Sequence, residues 1–157
     1  MALESCVLCR AEAADPELLR VEVWRDELWR LTAALVAEVA GFCYLEPRRH
    51  IPHIDDLDGP EAASFGAVLA RVTGALKEAT GAELVYVYVF GGGVAHLHLH
   101  LAPHSAGDAL NDHMVRGPLV ERRLASGLTE FVSAEFPPLP EAVQQATAAR
   151  VRGLLAG

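Results

Sequence analysis

Residues 96–101 read His-Leu-His-Leu-His-Leu. Strict alternation of polar and apolar residues has the period of a β-strand. His96, His98 and His100 then share one face, spaced roughly 7 Å apart by twice the strand rise. Leu97, Leu99 and Leu101 enter a core on the other face. The spacing predicts a strand over 94–102, ended by Pro103. It pairs as a hairpin with a Val- and Tyr-rich strand over 83–90, through the loop Gly91-Gly92-Gly93. Three aligned imidazoles admit three readings. They can form a His-rich solvent face, supply two or three ligands to a metal, or place one neutral imidazole as a nucleophile with its neighbours positioning it.

The rest of the chain bounds the setting. With 157 residues, 52% of them hydrophobic and 22% charged, the chain is long enough for one folded domain and too apolar for disorder. A net charge of −8 argues against nucleic-acid or acidic-membrane partners. It leaves an anionic substrate open, because a local site can oppose the global field. The apolar stretch 31–45 is too short to span a membrane and contains Glu38. Met1–Glu4 lacks the basic start of a secretory signal, so the expected compartment is the cytoplasm. Three cysteines cannot all pair, and Cys6 and Cys9, with two residues between them, read as a metal or redox pair rather than a structural disulfide. Cys43 lies inside a strand pattern and reads as a core residue.

Short strands are expected over 19–24, 28–33 and 42–46, the last stopped by Pro47. Asp58-Gly59-Pro60-Glu61 predicts a helix start with Asp58 as cap, and Phe65, Val68, Leu69, Val72 and Leu76 follow helical spacing up to Gly81. Beyond Pro103 the pattern weakens. A short helix is expected over 118–125, a rigid spacer at Phe136–Pro140 and an Ala-rich helix over 141–155. Residues 1–104 read as the chemical core and 105–157 as an extension, packed on that core or on a partner subunit.

His96-Leu-His98-Leu-His100-Leu101-Ala102 resembles the signature of the histidine-triad (HIT) superfamily of nucleotide hydrolases and transferases. Cys6-Val-Leu-Cys9 is similar to the Cys pair of its zinc-containing members. Gly41 to Ile51, with Pro47-Arg-Arg-His50 at its end, resembles the family's Gly-His-x-Leu-Val-x-Pro-Lys-x-His-Ile segment. The resemblance implies an α+β fold: an antiparallel sheet of about five strands and one long helix, here with a partly helical C-terminal extension. It implies a homodimer joined through the sheets. It also implies His98 as nucleophile, forming a phosphohistidine on a small phosphorylated substrate, with nucleotides among the candidates, and His100 as supporting donor. Cys6, Cys9, His50 and His96 would hold a structural zinc, His53 being the rival for the place of His50.

The departures from the family pattern bear on the substrate. An ungapped count puts the family's acidic ribose contact on Ala34. The loop before the motif carries glycines where the family has an Asn and a hydroxyl or amide residue. Gly91, Gly92 and Gly93 can instead bind phosphate through backbone N–H groups. His104 stands where many members carry Arg and can supply part of a polar contact. Arg48 and Arg49 read as solvated, and His113 and Arg116 are remote candidates from the extension. Trp24, Trp29 and Phe42 read as core packing or as the base pocket the resemblance implies. These departures leave three functions: a hydrolase or transferase on a phosphoanhydride, phosphoramidate or phosphodiester; a zinc-stabilised binding protein; or non-nucleotide chemistry on the same scaffold.

Overall fold

The computed structural model of the protein describes residues 5–109 and 118–157. The strands β1 (Arg20–Arg25), β2 (Trp29–Ala34) and β3 (Cys43–Pro47) form an antiparallel meander. The helix α1 (Gly59–Thr80) carries the chain to the far edge, where β4 (Leu84–Tyr88) lies, and β5 (Leu99–His104) returns between β4 and β3. The result is a five-stranded sheet in the order β1-β2-β3-β5-β4. A separate hairpin, β6 (Leu119–Arg123) and β7 (Thr129–Ser133), and the helix α2 (Glu141–Leu155) complete the described chain.

One face of the sheet is apolar, as the alternation requires. Val23, Trp29, Leu31, Leu45, Leu99 and Leu101 pack under Val72 and Leu76 of α1 and Val151 and Leu155 of α2. Each fully buried large apolar side chain contributes roughly 1.5–3 kcal/mol relative to exposure. Trp29 is wholly buried against Phe65, and its indole N–H donates to Ser64 Oγ at 2.9 Å. Both tryptophans therefore belong to helix packing: Arg71 of α1 lies over Trp24 at 5.3 Å and donates to the carbonyl of Leu155. Cys43 is buried in the same core, which pushes its thiol pKa up.

Helix α2 packs on the core. Gln144, buried in an Ala-rich helix, donates to the carbonyls of Ala37 and Val39 and accepts from Gly41 N–H. Satisfying three backbone groups explains an amide at a core position. Gly41 has φ +78°, and a Cβ there would sit 2.8 Å from Thr80, so both the backbone angle and the close approach demand glycine.

Four expectations need correction. Residues 119–123 form a strand, not part of a helix over 118–125. Gly127, at φ +88°, turns the chain so that Leu119–Arg123 pairs with Thr129–Ser133, and ladder bonds override a weak helical pattern. The β4–β5 connection is not a three-glycine turn: it runs over residues 89–98, and β5 begins only at Leu99. Pro103 lies inside β5. Pairing with β3 stops at Cys43–Leu101, so a missing N–H beyond that point breaks no ladder bond on that side. Asp58 makes no side-chain cap on α1; its carboxylate accepts from Arg49 at 2.6 Å instead.

Candidate active site and metal centre

The non-helical face of the sheet carries the polar side chains. Cross-strand register sets Thr32, Tyr44, His100 and Tyr88 in one row over β2, β3, β5 and β4. Ala34, Phe42 and Ala102 cluster on this face with Ala37, Val39 and Ala109. The histidine segment reaches it through two anchors. Leu97 N–H donates to Ile51 O at 2.7 Å, and His96 Nε2 approaches Pro47 O at 2.9 Å. A carbonyl only accepts, so Nε2 carries the proton and Nδ1 keeps its lone pair.

That Nδ1 faces a cluster assembled from three distant segments. Cys6 Sγ and Cys9 Sγ each lie 3.5 Å from His96 Nδ1, and Cys9 Sγ lies 3.4 Å from His50 Nδ1. Each of the four residues offers one ligand atom, and these atoms lie within 4.8 Å of one another. A tetrahedral ion with Zn–S of about 2.3 Å and Zn–N of about 2.05 Å puts S and N roughly 3.5 Å apart. The donor set and its spacing therefore fit a closed four-ligand metal site. Burial holds His96 below the usual imidazole range, despite the Pro47 bond and the Glu46 carboxylate, which both act the other way. The neutral form is the one that ligates. His53 stands apart from this cluster, exposed and grouped with Asp55 and Asp56.

His98 is half-buried, and its Nδ1–H donates to the backbone carbonyl of His96 at 2.7 Å. This bond fixes the tautomer and leaves Nε2 as the available lone pair. His96 thus serves both groups, its ring turned to the cysteines and its carbonyl holding His98. The His100 ring lies 5.3 Å from that of His98. It is stacked on Tyr88 at 5.0 Å and meets Tyr44, Phe90 and Phe42 edge-on at 5.2, 5.3 and 6.0 Å. Phe42 therefore belongs to the histidine face, unlike the two tryptophans.

The glycines lie in the connection before the motif. Gly91 adopts φ +73° and passes the His53 ring, while Gly92 and Gly93 are exposed. His104 Nδ1 donates to Asp108 at 2.8 Å and stacks on Tyr86. Ala34 is buried, with nothing polar to offer. Arg49 donates to Glu61 and Asp58, and Arg48 to the carbonyls of Asp26 and Glu27, so both are engaged in the protein rather than simply solvated. The Arg49 guanidinium holds the Glu61 carboxyl below the usual carboxylate range. His113 and Arg116 lie outside the described residues.

Sequence reasoning missed two features. One is the Pro47 carbonyl, which no side-chain motif reveals. The other is a charge network of buried Asp15, Arg20, Arg30 and Glu46 with half-buried Glu22, beside the metal centre. Its signal was present as Arg and Glu on alternate positions of short strands, which also fits a solvated face.

The fold, the triad and the Cys–His cluster define the class, and the sequence agrees. Residues 17–107 match the family model of the HIT domain, and the chain belongs to that family. Among solved structures it is similar to a Zn-bound histidine triad family protein from Mycobacterium smegmatis, at 22% identity, TM-score 0.63 and coverage of 97% of this chain and 96% of that one. It is also similar to a hypothetical histidine triad nucleotide-binding protein from Sulfolobus tokodaii, at 18% identity and TM-score 0.66, covering 96% of this chain and 92% of the other. A Hit-like protein involved in cell-cycle regulation from Bartonella henselae, with an unknown ligand, matches at 17% identity and TM-score 0.62 over 90% and 93%. At these identities the likeness concerns the fold. No curated protein matches the sequence.

Proposed function

We propose that the protein is a HIT-type hydrolase or nucleotidyl transferase acting on a phosphoanhydride, phosphoramidate or phosphodiester through a phosphohistidine on His98. The observation that carries this reading is the Nδ1–H bond of His98 to the His96 carbonyl, which presents Nε2 as a neutral nucleophile. Nε2 attacks phosphorus, an N–P bond forms, and the bond to the leaving group breaks with its electron pair. Protonation completes the leaving group. Water, or a phosphate acceptor, then attacks the phosphohistidine and returns the imidazole. His100 is the supporting donor at the phosphoryl group. Gly91, Gly92 and Gly93 offer backbone N–H groups to the phosphates, and His104, oriented by Asp108, offers a further polar contact.

Cys6, Cys9, His50 and His96 hold zinc in this reading. Four protein ligands leave no open position, so the ion supplies a structural staple rather than a Lewis acid. Residues 1–104 carry the chemistry, and residues 105–157 stabilise it. The protein works in the cytoplasm as a homodimer, without nucleic-acid or membrane partners. Support for the dimer comes from β4, an edge strand with Leu84 and Val87 exposed beside Phe90. Among the described residues, no helix is long and apolar enough to cross a membrane.

Burial of Ala34 among apolar neighbours favours a second reading, a zinc-stabilised binder of a phosphorylated small molecule. Intact-mass analysis, quenched without acid, separates the two. An adenosine phosphoramidate, a dinucleoside polyphosphate, a nucleotide sugar and a sugar phosphate serve as probes. A nucleotidyl or phosphoryl adduct that vanishes in His98→Ala supports the enzyme. Binding without adduct or turnover supports the binder.

A further inference from the structure

Cys6 and Cys9 lie on a segment that precedes the sheet, while His50 and His96 come from beyond β3 and from the β4–β5 connection. Something must hold the first pair against the second. The segment ends at Asp15, which is buried. Its carboxylate accepts from Arg20 Nε at 2.9 Å and from Arg30 Nη1 at 3.1 Å, and Arg30 Nη2 also reaches it. Arg20 is bidentate on Glu46, at 2.9 and 3.1 Å, and Arg30 Nε donates to Glu22 at 2.6 Å. Glu46 directly precedes Pro47, whose carbonyl holds His96. A continuous buried path therefore runs from the cysteine segment to the metal-facing imidazole.

Two physical points give this path a purpose. A buried ion-pair network is weak evidence for net stability, because desolvation offsets the attraction. What it supplies is geometry. Two strained residues flank Asp15, Ala11 at φ +46° within the segment and Leu19 at φ +51° just after it. Non-glycine residues in that region carry backbone strain and persist only where their surroundings over-determine them.

We propose that the Asp15–Arg20–Arg30–Glu46 network is a clamp that pre-forms the Cys6–Cys9–His50–His96 site before metal arrives, with Asp15 as its positioning residue. This rests on reading the four residues as a metal site. The clamp reduces the ordering that metal binding would otherwise have to impose on the cysteine segment.

The test is zinc affinity by chelator competition, with melting of the metal-free and zinc-loaded forms. Asp15→Asn is expected to weaken zinc binding about 10- to 100-fold, the range of outer-shell partners. Glu12→Gln, which removes an exposed ion pair to Arg25 on the same segment, is expected to leave it unchanged. Unchanged affinity in Asp15→Asn, with only a lower melting temperature, would assign Asp15 a purely structural role and overturn the clamp. Should Asp15→Asn not fold, hydrogen exchange on the metal-free parent decides. Protected amides at Cys9, Asp15 and Arg20, bonded to the carbonyls of Cys6, Glu12 and Asp15, are expected. Exchange there at the rate of an unstructured peptide would overturn the proposal. A parent that binds no zinc yet keeps this protection would instead overturn the metal reading.

Discussion

The two faces of β5 hold the molecule in different ways. Leu99 and Leu101 point into a core closed by α1 and α2. His100, between them in sequence, sits in a ring of aromatic side chains, and His98 and His96 before it depend on individual hydrogen bonds. Burial on the first face is non-directional, so substitution there changes stability in proportion to volume. Bonds on the second face are directional, so a change there alters chemistry or metal binding more than it alters the core.

The strongest test of this contrast is metal removal. Cys6→Ser or His96→Ala is expected to abolish stoichiometric zinc, measured by elemental analysis, and to melt well below the parent. Apparent binding energies of structural zinc are about 10–16 kcal/mol, and part of that acts as folding energy. Full zinc content in His96→Ala would break the division of roles between His96 and His98.

Next in size is His98→Ala. Turnover should fall on the order of 10⁴-fold, about 5.5 kcal/mol of transition-state stabilisation, with zinc content and melting temperature close to the parent. On the opposite face, Leu101→Ala should cost about 2–5 kcal/mol in urea denaturation while retaining turnover in the folded fraction. If Leu101→Ala destroyed turnover per folded molecule, the two faces would not be separable.

Smaller effects sharpen the picture. Thr32, buried on the histidine face, has no hydrogen-bond partner for its hydroxyl among the described residues. Thr32→Val should therefore be neutral or stabilising by about 1 kcal/mol in chemical denaturation. Glu61→Gln should destabilise by about 1 kcal/mol near neutral pH, since Arg49 is partly solvated. The folded-state pKa of Glu61 lies below the ordinary carboxylate value, because the Arg49 guanidinium favours the charged form. Its contribution is therefore present above that value and lost as pH falls through the lower folded one. Urea denaturation of parent and Glu61→Gln should converge over that acid window.

Much of this was legible in the chain. Helical spacing from Phe65 to Leu76 located α1, and Gly81, with φ +70°, closes it. The motif with its Cys pair and Pro47-x-x-His50 pointed to the family and to the four residues that converge on one centre. The strands over β1, β2 and β3 were displaced by about a residue. The hairpin at 119–133 was not legible, because a Gly127 turn and cross-strand pairing outweigh a weak local pattern. The length of the β4–β5 connection was hidden as well, since its boundaries depend on where β3 stops pairing.

The sequence by itself determined which residues could do chemistry and which face of β5 His100 takes, because alternation and residue type are local properties. Only the tertiary structure decided which of His50 and His53 meets the cysteines, which carbonyl orients His98 and which charges are buried together. Those outcomes depend on segments far apart in the chain: His96 on Pro47, Cys9 on His50, Asp15 on Arg30. Directional bonds between distant segments follow from packing, which no local pattern encodes.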